Sequence, residues 1–98
     1  MMIKHVVCYK LANPSPELLK TVRDNFLSMK GVIPQVVDVE SGWDFLQSER
    51  SYDAVLITTF SSKEDMAAYR SHPKHLEVSG FMHTVVATSV SVDFEYGL

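Results

Sequence analysis

The sequence predicts an α+β fold in which strands and helices follow the order β-α-β-β-α-β. Three observations predict this order. Four segments are rich in β-branched and aromatic residues, an amphipathic helical pattern separates the first two, and a helix-start signal separates the last two. Because the chain has 98 residues, we expect residues 1–98 to form one domain.

Residues 3–10 form the first predicted strand. Side chains alternate between the two faces of a strand, so Ile3, His5, Val7 and Tyr9 share one face. The opposite face also carries apolar groups, including Cys8. A strand that is apolar on both faces is expected near the middle of a sheet.

Residues 13–16 predict a turn that leads into the first helix. Ser15 suits the N-cap and Pro16 suits the first helical position. An apolar stripe with helical spacing follows, made of Leu18, Val22, Phe26 and Met29. Gly31 fits the C′ position of this helix, and Pro34 prevents the helix from resuming.

Two further strands are predicted before the second helical region. Residues 36–43 alternate between apolar and polar side chains, which is typical of a strand with one wetter face. Residues 44–51 are polar and predict a loop. Residues 52–60 carry Val55, Leu56 and Ile57 in succession and therefore predict a strand buried on both faces.

The second helical region and the last strand complete the order. Ser61 and Glu64 have the spacing of a capping box, which predicts a helix start. Pro73 is expected to end or kink this helix and to begin another short helical turn, which Gly80 would close. Residues 84–94 predict the final strand. Its apolar face carries Val86, Val90, Val92 and Phe94.

This order is the ferredoxin-like arrangement, a four-stranded antiparallel sheet with helices on one face. The helices can cover only that face, yet the first and third strands are apolar on both. The uncovered face must therefore meet another apolar surface. A second copy of the same sheet is the simplest partner, so we expect a homodimer that pairs through its sheets as a dimeric α/β barrel.

Composition disfavours several classes of partner. The net charge is −3 and the nine Lys and Arg residues are scattered, which argues against nucleic-acid binding. No apolar run approaches the roughly 20 residues that span a bilayer, and the N-terminus does not resemble a signal peptide, so no membrane partner is expected. With Cys8 as the single cysteine, no internal disulfide can form. These features predict a cytoplasmic protein.

The histidines are the candidate chemical groups. The chain has four, two of them in the run His72-Pro73-Lys74-His75. An imidazole changes charge near neutral pH, so His75 could serve as a general base, or it could bond a backbone carbonyl near the helix end. His5 could face the same space or be a buried, hydrogen-bonded histidine. His83 is expected to be exposed.

Tyr69 is the third candidate. Its phenol could hold a carbonyl or a developing enolate oxygen, or its ring could belong to the helix core. The spacing of the histidines does not match a transition-metal site, so no metal is predicted. Gly-rich phosphate loops, dinucleotide motifs and a nucleophile elbow are absent from the sequence, and no cofactor is predicted.

These segments together resemble the stress-responsive A/B barrel domain (Dabb) family, and the resemblance covers essentially the whole chain. The matching segments are residues 3–7, Ile33-Pro34, residues 52–57 with Phe60, residues 69–75 and residues 92–94. Many members have Gly after the Ile-Pro pair, where this chain has Gln35.

The resemblance implies a homodimer and a pocket between sheet and helices that could bind a small hydrophobic or carbonyl-containing molecule. In a plant polyketide cyclase of the family, the residues matching His5, Tyr69 and His75 serve an aldol-type cyclisation. Three functions therefore stay open. They are a binding or stress-associated dimer, a cofactor-independent cyclase or lyase with His75 as base, and a cofactorless monooxygenase.

Overall fold

The structure, a computed structural model, describes residues 1–97 and has the predicted α+β, ferredoxin-like architecture. The elements in chain order are β1 (Met2–Leu11), α1 (Pro16–Leu27), β2 (Asp38–Trp43), β3 (Ala54–Phe60), α2 (Lys63–Ser71), α3 (Pro73–Val85) and β4 (Val86–Tyr96). The four strands form one antiparallel sheet in the order β2-β3-β1-β4. The two strands predicted to be apolar on both faces, β1 and β3, are therefore the central ones.

Helix α1 begins as the sequence predicts. The Ser15 hydroxyl accepts a hydrogen bond from the Leu18 amide at 3.1 Å, and Pro16 is the first helical residue. The helix ends at Leu27, earlier than expected. Gly31 does adopt a left-handed backbone with φ of +80°, but it belongs to a turn beyond the helix and not to the C′ position.

The N-cap of helix α2 is Ser62, and the prediction of Ser61 is wrong. The Ser62 hydroxyl accepts a hydrogen bond from the Asp65 amide at 3.1 Å. Both serines precede an acidic residue by three positions, so the spacing alone could not choose between them. The extended backbone of Ser62, with φ of −157°, shows where the chain turns into the helix.

Gly80 does not end the second helical region, contrary to the prediction from the sequence. It lies inside helix α3, which continues to Val85. Glycine costs about 1 kcal/mol relative to alanine within a helix. Burial of Val78 and Met82 on the same helix outweighs this cost, because each buried apolar side chain contributes roughly 1.5–3 kcal/mol. Strand β4 therefore starts at Val86, two residues later than predicted.

The register of the sheet fixes what each face carries. His5 lies opposite Thr58 of β3 and opposite Asp93 of β4. Residues directly opposite each other project to the same side, so these three face the helices. The core on that side is formed by a cluster that includes Ile3, Leu11, Val22, Phe26, Met29, Ile33, Leu56, Phe60, Tyr69, Val78 and Met82.

The other side of the sheet, here called the bare face, carries apolar side chains with no helix over them. Val90, Val92 and Phe94 of β4 are 50%, 63% and 44% exposed. The register adds Val6, Cys8, Val55 and Ile57 to the same face. Cys8 thus lies on the side opposite His5, as predicted.

None of the helices described within residues 1–97 combines the length and the apolar character that crossing a membrane requires.

Candidate functional site

A cavity of about 420 Å³ lies between the helix-facing side of the sheet and helix α3. Its wall includes all three residues predicted as site residues: His5 from β1, Tyr69 from α2 and His75 from α3. The other lining side chains are apolar or hydroxylic except for that of His83. All of them are Val7, Tyr9, Phe26, Met29, Leu56, Val78, Ser79, Met82, His83, Val86, Ala87, Thr88 and Ser89.

His75 is held by a hydrogen bond to the backbone just before it. Its Nδ1 lies 2.9 Å from the Arg70 carbonyl oxygen. A carbonyl can only accept, so Nδ1 carries the proton and Nε2 of the neutral ring keeps a lone pair. His75 therefore bonds a backbone carbonyl, which is one of the two roles expected for it, and also lines the cavity, while its role as a general base stays a prediction.

Burial lowers the pKa of His75 below its ordinary value of 6.5. The hydrogen bond to Arg70 opposes this shift, and the charges of His5 and Arg70 add to it. The net lowering favours the neutral imidazole at physiological pH. A neutral ring with an unprotonated Nε2 is the form that accepts a proton.

Tyr69 lies beside His75 and is 2% exposed. Its ring centroid is 4.4 Å from that of His75 and 5.0 Å from that of Phe60. The hydroxyl donates to Met29 Sδ at 3.8 Å, and a thioether is a weak acceptor. Burial, with a smaller contribution from Tyr9, raises the pKa of Tyr69, so the phenol remains a protonated donor.

His5 is paired with a carboxylate that sequence reasoning did not select. Its Nδ1 hydrogen bonds to Asp93 Oδ1, across the β1–β4 pair. Along β4, Asp93 alternates with Val92 and Phe94, and the register shows that it lies opposite His5. A carboxylate on one ring nitrogen orients the imidazole and fixes which nitrogen is free.

The other two histidines have different positions. His72 is the N-cap of α3, where its Nδ1 accepts from the Lys74 amide at 3.0 Å, so it has a structural role. His83 is exposed as predicted, but it also lines the cavity. Among residues 1–97, no three His, Cys, Asp or Glu side chains are clustered so as to hold a metal ion.

Comparison with known proteins relates residues 3–96 to the stress responsive A/B barrel domain. A curated relative, a stress-response A/B barrel domain-containing protein of Arabidopsis thaliana, is 30% identical over 78 residues. The match covers 79% of this chain and 30% of the relative, so the chain spans about 30% of the relative's length.

Three solved structures share the fold. A dimeric ferredoxin-like protein of unknown function from Thermobifida fusca has a TM-score of 0.86 at 21% identity, covering 98% of this chain and 92% of its own. The hydroxynitrile lyase of Passiflora edulis has a TM-score of 0.82 at 14% identity, with 95% and 91% covered. A mutant of SnoaB, a cofactor-independent oxygenase of Streptomyces nogalater, has a TM-score of 0.74 at 13% identity, with 97% and 92% covered.

Proposed function

Because the chain belongs to the stress responsive A/B barrel domain family, we propose that it is a homodimer whose subunits each bind a small, largely apolar, carbonyl-containing molecule. One observation carries the proposal. His5, Tyr69 and His75, which come from three different elements, line a single cavity whose wall also carries apolar side chains such as those of Val7, Phe26 and Leu56. Pockets that combine convergent polar groups with apolar side chains are typical small-molecule sites.

The size and chemistry of the cavity support this class of ligand. Its volume of about 420 Å³ lies within the range of about 300–1,000 Å³ that is common for ligand pockets. Val7, Phe26 and Leu56 offer apolar contacts, and the Tyr69 hydroxyl offers a donor whose only partner among residues 1–97 is the sulfur of Met29. A carbonyl oxygen is a stronger acceptor than that sulfur, so a bound carbonyl gains the Tyr69 hydrogen bond.

The bare face supports the homodimer. Val90, Val92 and Phe94 are each at least 44% exposed and lie side by side with the apolar residues of β1 and β3. Contiguous exposed apolar patches usually mark interaction surfaces. The Thermobifida neighbour with the same fold is described as dimeric.

A cytoplasmic location fits the single cysteine, Cys8, which cannot form an internal disulfide.

A second candidate function is cofactor-independent proton abstraction from the carbon next to the carbonyl. His75 Nε2 would take the proton, the electron pair of the broken C–H bond would form the carbon–carbon double bond of an enolate, and the π pair of the carbonyl would move onto its oxygen. Tyr69 would donate a hydrogen bond to that oxygen as it becomes negative, while His5, whose Nδ1 proton is bound by Asp93, lines the same cavity with Nε2 as an acceptor. The unprotonated Nε2 of His75 beside the Tyr69 ring favours this candidate.

The two fold neighbours that are enzymes, a lyase and a cofactor-independent oxygenase, are compatible with this second candidate. A fold supports many reactions, so the likeness alone does not choose among them. The cyclase or lyase reaction and the cofactorless monooxygenase reaction both remain alternatives for this chain.

Acetophenone, a small aryl ketone, is a suitable probe for the binding function. We expect wild-type protein to bind it in calorimetry, and Ser79→Phe to weaken binding at least about tenfold because the ring fills the cavity. The control is Ser71→Phe, on an exposed helical residue outside the cavity wall. Equal binding by both variants and wild type would contradict the proposed site.

The second candidate has its own assay. Exchange of the acetophenone methyl protons in D₂O follows proton abstraction, and proton NMR measures it. We expect wild-type protein to accelerate the exchange and His75→Gln to abolish the acceleration. If acetophenone binds but the exchange rate equals that of buffer, the binding function stands and the catalytic one fails.

A further inference from the structure

Tyr9 is a cavity residue to which the proposed function gives no role. Its backbone is fixed on both sides, since it pairs with Ala54 of β3 and Ser89 of β4. Its ring stacks on Phe26 with centroids 5.4 Å apart and an interplanar angle of 30°. Both anchors belong to regular elements, so the ring is a rigid part of the cavity wall.

The hydrogen bonds of residues 1–97 include none from the Tyr9 hydroxyl, and this hydroxyl is not among the buried polar atoms that lack a partner, so it is open to water or to a molecule in the cavity. A bound molecule with an acceptor oxygen can take the place of that water. Burial, followed by the neighbouring Cys8, raises the pKa of Tyr9 to about 12. The group is therefore a protonated donor at neutral pH.

Tyr9 and Tyr69 give the same cavity two phenol donors on different elements, β1 and α2. The Tyr69 hydroxyl donates to Met29 Sδ, and among residues 1–97 no hydrogen bond joins the two phenols. Each donor can therefore serve a separate oxygen atom of one ligand.

Resting on the proposed function, we propose that Tyr9 is a specificity-determining residue that donates a hydrogen bond to a second ligand oxygen, apart from the carbonyl bound by Tyr69. The preferred ligand class is an aryl or alkenyl ketone that carries an additional ether, hydroxyl or carbonyl oxygen. A ketone without that oxygen gains no hydrogen bond from Tyr9 and binds less tightly.

Binding of acetophenone and its 2-, 3- and 4-methoxy derivatives to wild type and Tyr9→Phe tests this. The methoxy oxygen accepts but cannot donate, so it reports on a donor in the protein. We expect Tyr9→Phe to lower the affinity for at least one methoxy isomer about fivefold and to leave the affinity for acetophenone unchanged. Tyr52→Phe, a phenol outside this cavity, is the matched control and should change neither affinity.

The variant should fold, because it keeps the Phe26 stack and removes a hydroxyl with no protein partner. Its thermal midpoint should match that of wild type. If Tyr9→Phe lowers the affinity for none of the isomers, or lowers the affinity for acetophenone by the same factor, the role of Tyr9 is overturned while ketone binding stands. If wild type binds none of the four ketones, the proposed function and the role of Tyr9 both fail.

Discussion

The imidazole of His75 and the phenol of Tyr69 lie with ring centroids 4.4 Å apart and tilted by 54°. One residue offers an unprotonated ring nitrogen and the other a hydroxyl, and both line the same cavity. Helices α2 and α3 meet at Pro73, and this junction brings the two side chains together. The pair therefore depends on the helix break as well as on the identities of its two members.

Replacing Tyr69 by Phe tests whether its hydroxyl serves a ligand or the core. The only protein partner of that hydroxyl among residues 1–97 is Met29 Sδ at 3.8 Å, a weak acceptor. We therefore expect the free energy of unfolding to change by less than about 1 kcal/mol, while acetophenone affinity falls about fivefold. Denaturant unfolding and calorimetry measure the two. A large loss of stability with unchanged affinity would assign Tyr69 to the core alone.

The lowered pKa of His75 predicts a pH dependence of stability. The unfolded chain takes up a proton near pH 6.5, whereas the folded chain resists protonation at this site. The stability contribution is therefore full above pH 6.5 and falls as the pH drops below it, until the folded-state pKa is passed. In His75→Gln this part of the dependence should disappear. Urea unfolding from about pH 7.5 to about pH 5 measures it, and equal slopes for both proteins would refute the assignment.

The His5–Asp93 pair predicts a tautomer of His5. Hydrogen bonding to the carboxylate requires a proton on Nδ1, which leaves Nε2 as the group available to the cavity. Asp93→Asn should remove this preference. Nitrogen-15 NMR of the imidazole reads the tautomer directly. A wild-type His5 that carries its proton only on Nε2 would show that Asp93 does not orient it.

A charge on the bare face should disrupt the homodimer. Val92 is 63% exposed, so Val92→Asp would place a carboxylate against an apolar partner surface. We expect light scattering at micromolar concentration to give a dimer for wild type and a monomer for the variant. Val32→Asp is the control, because Val32 is 52% exposed but lies beyond α1, off the sheet. A monomeric wild type would contradict the proposal.

Local sequence patterns were sufficient for most of the fold. The stripe containing Val22 and Phe26 predicted the buried face of α1, and the double apolar faces of β1 and β3 predicted their central positions. Two helix ends could not be predicted from local patterns alone. Ser61 and Ser62 both fit the N-cap of α2, and Gly80 indicates a helix end unless the burial of its neighbours in α3 is known.

The site was harder to predict from the sequence than the fold, because it depends on strand register and on contacts between elements that are distant in the chain. His5 and Asp93 are 88 residues apart, and only the β1–β4 pairing places them opposite each other. His5, Tyr69 and His75 were selected through the family resemblance, and their spacing alone does not imply a shared cavity. Tyr9 was placed on the correct strand face, but its stack on Phe26 requires the packing of α1.

The most direct test of ligand binding in the cavity is carbon-13 methyl NMR of the wild-type protein titrated with acetophenone. We predict saturable chemical-shift changes at Val7, Leu56 and Val78, whose methyl groups line the cavity, and none at Val90 or Val92 on the bare face. Changes confined to the bare-face valines, or no saturable change at any methyl group, would contradict the assignment.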